Sequence, residues 1–226
     1  MSRGWWLAPG GRTALAVFAA VAVLTSRPAA AQTDARYEVG AGVRFVGPES
    51  LGKVDANETN AGGGTFRLFT ADSTLDAVLG FEARLGIRVS PALRIETTGS
   101  YGASDLKIAL NADVENGAAV TATERITQFT IEGAAVMELT RWHLGARGAP
   151  FISGGAGYVR ALHEGRILVD EGVMWHAGGG VNLVLRSSPG GAIGLRIDAR
   201  ALFQSGVVND GFHASPLLGA SAFVRF

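Results

Sequence analysis

Leu75-Asp76-Ala77-Val78-Leu79-Gly80-Phe81-Glu82-Ala83-Arg84-Leu85-Gly86-Ile87-Arg88-Val89-Ser90 alternates residue by residue. Leu75, Ala77, Leu79, Phe81, Ala83, Leu85, Ile87 and Val89 are apolar. Between them stand Asp76, Val78, Gly80, Glu82, Arg84, Gly86, Arg88 and Ser90. Successive side chains of a β-strand point to opposite faces, so this stretch presents one apolar face and one charged or small face. A helix would scatter both sets around its axis.

The same pattern recurs along the chain. In 193–204, Ile193, Leu195, Ile197, Ala199, Ala201 and Phe203 oppose Arg196, Asp198, Arg200 and Gln204. In 173–186, Val173, Trp175, Ala177, Gly179, Val181, Leu183 and Leu185 oppose His176, Gly178, Gly180, Asn182 and Arg186. Segments 37–45, 93–101, 128–139 and 214–226 alternate too, and glycine-rich 150–162 reads as a strand of either phase. The spacing therefore predicts eight strands. Most are longer than the roughly 5–6 residues usual in soluble proteins, and long enough for the about 9–11 residues a tilted strand needs to cross a bilayer.

The connections sort by length. Ser90-Pro91-Ala92 and Ser187-Ser188-Pro189-Gly190-Gly191 are tight, and 140–148 is somewhat longer. Between these fall the long connections 47–74, 104–123, 163–172 and 205–213, the first with room for a small hairpin around Phe66 to Phe69. Alternating short and long connections are expected of a barrel with short turns at one membrane face and long loops at the other.

The first 31 residues read as a cleaved secretory signal. Arg3 and Arg12 precede an apolar run over 14–24, and Ala29-Ala30-Ala31 offers a small-residue cleavage site with Ala29 and Ala31 at the key positions. The run is too short for a spanning helix, which needs about 20 apolar residues. Residues 32–226 then form one domain. Lys+Arg and Asp+Glu are 20 each. The signal holds Arg3, Arg12 and Arg27 and no acid, so the remainder is slightly acidic. That balance argues against nucleic-acid binding. With no cysteine, a disulfide frame and a Cys-type zinc site are excluded. Haem, flavin and dinucleotide motifs are also missing, and no cofactor or metal is expected.

With this strand pattern and the C-terminal Ala220-Ser221-Ala222-Phe223-Val224-Arg225-Phe226, the chain resembles the OmpA/OmpX-like eight-stranded outer-membrane β-barrel family. The resemblance implies an all-β, antiparallel, up-and-down transmembrane barrel in the outer membrane of a Gram-negative-type bacterium. It also implies contact with outer-membrane lipid and lipopolysaccharide, a monomer, and a terminal strand whose Val224 and Phe226 are read by the barrel-assembly machinery. Phe223 breaks the alternation and should point inward. Pro150-Phe151 with Gly154-Gly155-Ala156-Gly157-Tyr158 resembles a Pro-aromatic strand opening seen in such barrels.

An eight-stranded barrel is only wide enough for side chains to fill. The inward ion-pair candidates are Glu38, Arg44, Glu82, Arg84, Arg88, Arg94, Glu96, Glu132, Glu138, Arg196, Asp198 and Arg200, with Arg36, Asp76 and Arg225 on the same face. Unpaired buried charge is costly, so these should pair, giving a plugged polar lumen and a structural or surface-interaction role without catalysis. A narrow ion path through the same charges is the rival. Two further readings compete. A lipid-A-modifying or proteolytic barrel enzyme would draw on His143, His163, His176 or His213, and His163-Glu164 with Asp170-Glu171 would also suit a divalent cation or lipopolysaccharide phosphates. A soluble periplasmic lipocalin-like barrel would turn its apolar face inward around a ligand.

Overall fold

The computed structural model describes residues 35–111, 120–142, 144–145, 147–164, 168–205 and 212–226. The signal segment with Ala29 and Ala31, and His143, lie outside the described residues. The strands are β1 (Tyr37–Val46), β2 (Glu49–Thr59), β3 (Thr65–Leu75), β4 (Val78–Arg88), β5 (Leu93–Asn111), β6 (Val120–Glu138), β7 (Gly148–Leu162), β8 (Val169–Ser188), β9 (Gly191–Ser205) and β10 (Phe212–Arg225).

Eight of these strands pair in a ring. Going round it, β1 pairs with β4, then β5, β6, β7, β8, β9 and β10 follow, and β10 returns to β1; every pairing is antiparallel. The eight segments expected from alternation are these eight strands. At the joint, Tyr37 and Phe226 exchange two backbone hydrogen bonds of 2.9 Å, and their rings lie 6.1 Å apart.

The two additional strands come from the first long connection, where the sequence allows only a small hairpin. β2 pairs with β3, and β3 pairs with the far end of β5. The chain leaves the ring at Gly47-Pro48, because proline has no N–H for a further rung; Gly47 N–H to the Pro216 carbonyl, 2.8 Å, is the last bond. It rejoins at Asp76-Ala77. There the structure corrects the single run 75–90: Leu75 belongs to β3 and is buried, whereas Leu79 on β4 faces out. The β2–β3 hairpin turns at Gly63, whose φ of 82° suits glycine.

The hairpins differ in height. The β6–β7 ladder stops at Thr127↔Leu162, while β5–β6 continues to Leu110↔Val120. Strands β2, β3, β5 and β6 thus make a tall half, and β7 to β10 a short one. Much of the long connection 104–123 is strand rather than loop.

Burial is the reverse of a soluble domain. Leu79 and Phe81 are 72% and 68% exposed, whereas Glu82 and Arg84 on the same strand are each 4% exposed. The apolar face is the outside of the ring. The lipocalin-like reading needs that face inside, and the structure overturns it. The phase of 150–162 is also fixed: Phe151, Ser153, Val159 and Ala161 point in, while Ile152, Tyr158 and Arg160 point out. Tyr101 and Phe129 pack at 5.1 Å on the outer surface, level with Phe81 through the strand register. This is the interfacial aromatic placement of membrane barrels.

Candidate functional site

The interior is the candidate site, and it is built from the inward residues of six strands. In its short-turn half, six carboxylates (Glu38, Glu82, Glu96, Glu132, Glu138, Asp198) stand among six guanidiniums (Arg44, Arg84, Arg94, Arg196, Arg200, Arg225). Strands β7 and β8 add only His176 to this ionisable set.

The contacts run as one chain along the axis. At the short-turn end Arg225 meets Glu38 at 2.6 Å and Glu138 at 2.9 Å. Arg94 joins three carboxylates: Glu96 at 2.6 Å, Glu138 at 3.0 Å and Glu38 at 3.2 Å. Arg196 passes the network from Glu96, 2.8 Å, to Asp198, 3.3 Å. Asp198 also meets Arg200 at 2.8 Å and Arg84 at 3.6 Å. Arg200 continues to Glu82 at 3.1 Å and Glu132 at 2.9 Å, and Arg84 lies 3.5 Å from Glu82. His176 Nδ1 closes the series 3.0 Å from Glu132. Arg44 donates to Ser100 and to Thr130.

Guanidinium suits these shared positions because its fixed fork of donors serves several carboxylates at once. Removing one member of a buried ionic set typically costs about 3–5 kcal/mol, since the partner stays buried and uncompensated. The inward face must also make room for long arginines, and inward glycines do this. A Cβ on Gly219 would lie 3.1 Å from both Asp198 carboxylate oxygens, and one on Gly155 would lie 2.8 Å from His176 Nε2. Gly194 leaves space for the Phe223 ring. Phe223 points inward as its break in alternation implies, with the Arg225 guanidinium 4.7 Å over it. Arg196 similarly stacks 4.1 Å over Phe151.

Three charges of the expected inward face stand outside this network. Arg88 is half-buried near the short turns, with no ion pair among the described residues. Arg36 is exposed. Asp76 is 41% exposed and pairs with Lys107 at 2.6 Å, because the break at Asp76-Ala77 takes it out of the alternation.

Above the ionic half the same inward positions become apolar. Val46, Val78, Ile126, Val159, Met174, Leu202 and Leu217 fill the interior with Leu75, Leu106 and Ala161. Sequence reasoning missed this layer. Its signal was there: extending the inward count by two residues beyond Gly80, His176, Arg200 and Gly219 reaches Val78, Met174, Leu202 and Leu217.

At the mouth beyond that layer, His163 is 7% exposed. Its Nδ1 lies 2.9 Å from Glu124 and its Nε2 2.9 Å from Asp170. Burial works against its charge, but the hydrogen bonds and charges of Asp170 and Glu124 outweigh that and raise its pKa above the ordinary histidine value. Both ring nitrogens are therefore committed to separate carboxylates, and among the described residues no cluster is arranged to hold a metal ion. His213 Nδ1 lies 3.5 Å from Glu49. Burial raises the Glu49 pKa, and His213 partly offsets the rise. Ser215, two residues on, is buried with no hydrogen-bond partner, so no nucleophile–base pair is formed there.

No protein-family model matches the chain, and no curated protein matches it. Solved structures do. The outer membrane protein OprG from Pseudomonas aeruginosa is 9% identical, with a TM-score of 0.50, covering 86% of this chain and 96% of its own. Neisserial surface protein A is 12% identical, with a TM-score of 0.49, covering 84% and 97%. At such identity the likeness is one of fold: the chain is an all-β, antiparallel, up-and-down barrel of the outer-membrane kind.

Proposed function

We propose that this is a small integral outer-membrane β-barrel of the OmpA/OmpX-like type, with a plugged lumen, serving envelope structure or surface interaction without catalysis. The observation that supports it is the filled interior. A neutral set of six carboxylates and six guanidiniums is followed along the axis by an apolar layer. Ions crossing such a lumen would have to break the pairs and then enter an aliphatic section. On this reading the short turns are periplasmic and the long hairpins external. Residues 1–31 are the export signal cut after Ala31, Val224 and Phe226 guide assembly, and lipopolysaccharide surrounds the outer rim of a monomeric barrel.

The test is conductance. Purified protein, refolded and inserted in planar bilayers, gives no regular single-channel steps. Steady unitary currents would overturn the plug and favour the ion path. The enzyme reading is tested separately by mass spectrometry of lipid A from cells expressing the parent or the His163→Gln and His213→Gln variants. The expected spectra are identical; a modification that depends on either histidine would replace this proposal.

A further inference from the structure

The mouth formed by the long hairpins has two seams, where the β-ladder between the tall and short halves stops. One lies beyond Thr127↔Leu162, between β6 and β7. The other lies beyond Val46↔Leu217 and the Gly47–Pro216 bond, between β2 and β10. Immediately past each stop, a histidine of the short half meets a carboxylate of the tall half. At the first seam His163, which follows β7, meets Glu124 of β6, and its other nitrogen meets Asp170 of β8. At the second, His213 of β10 meets Glu49 at the start of β2.

We propose that His163 is a proton-operated latch that holds the tall and short halves together at the first seam, over the apolar layer. The reasoning is one of donor count. A neutral imidazole has one N–H and one lone pair, so it satisfies one carboxylate and turns its lone pair on the other. An imidazole held between Glu124 and Asp170 on opposite nitrogens must donate twice, and only the protonated ring does so. The charged groups facing His163 are Glu124 from β6 and Asp170 from β8. The exposed Glu164 next to His163 adds negative charge to the first seam. Each of these charges favours the protonated His163 ring.

The sign follows from linkage. His163 has a raised pKa, so the latch is fully closed below the ordinary histidine pKa and opens as pH rises through the raised value. A proton leaves the His163 ring to solvent on opening and returns on closing. Opening uncovers Leu51 and Ile108, the partly buried residues packed against the apolar layer.

Hydrogen exchange on the full barrel in phospholipid nanodiscs tests this, with rates corrected for their intrinsic pH dependence. Protection of residues 159–164 falls by roughly tenfold or more between about pH 5.5 and pH 8.5, while the short-turn half is unchanged. His163→Gln abolishes this pH response. Heat-modifiable gel mobility checks that the variant folds. A parent protein with pH-independent protection at this seam would overturn the latch, as would a pH response surviving in His163→Gln. Should the variant fail to fold, NMR titration of His163 in the parent decides: a pKa at or below the free value overturns the proposal, and one above it sustains it.

Discussion

Between Thr130 and Arg225 the interior is ionic; from Ile126 and Met174 outward, on the same strands and the same inward face, it is aliphatic. The two halves fill equal roles by opposite means. The ionic half works by reciprocity: Arg94 is correct only because Glu38, Glu96 and Glu138 surround it. The aliphatic half works by volume: Leu202 packs in an apolar cluster, and another side chain of its size would serve. The ionic half should therefore respond to substitution as a unit and the aliphatic half site by site.

The sharpest way to break that contrast is Arg94→Met. It takes a shared guanidinium from three carboxylates, leaving Glu38 and Glu138 to Arg225 and Glu96 to Arg196, and is expected to cost about 3–5 kcal/mol, read as a lower urea midpoint of the folded band. Replacing Glu96 and Arg196 together, by Gln and Met, should cost clearly less than the sum of the two single changes; simple additivity would mean that the set is not coupled. Next comes Leu202→Ala in the aliphatic half, expected at about 2–4 kcal/mol and additive with Arg94→Met. A smaller effect, about 1–3 kcal/mol, is expected for Gly194→Ala, where the new methyl meets the Phe223 ring. The smallest belongs to Lys53→Ala. It removes an exposed pair with Asp72, so its unfolding midpoint should coincide with that of the parent.

What the sequence disclosed divides along the same line. Eight strands were legible because apolar-outside and polar-inside residues alternate wherever the wall meets lipid and the lumen is ionic. Where the lumen turns aliphatic, Val78 stands beside Leu79 and Leu217 beside Leu218, so both faces look alike and the alternation fades. The breaks at Gly47-Pro48 and Asp76-Ala77 hid β2 and β3 for a related reason. In β3 the stretch with Thr70, Asp72 and Thr74 on one face is polar and carries no apolar stripe. The His163 bonds were unreadable because they depend on register: Glu124 reaches His163 only through the β6–β7 offset.

The ion pair between Glu38 and Arg225 spans 187 residues of sequence. Contacts of such separation form late, because a long loop must close before they give any return. Glu38 can reach Arg94 once β5 is in place, but it gains Arg225 only when β10 arrives. In time, then, the barrel's interior is wet until its final pairing. Drying of the lumen and closure of the wall are one event, and a chain stalled before β10 would carry open, charged water inside an unfinished sheet.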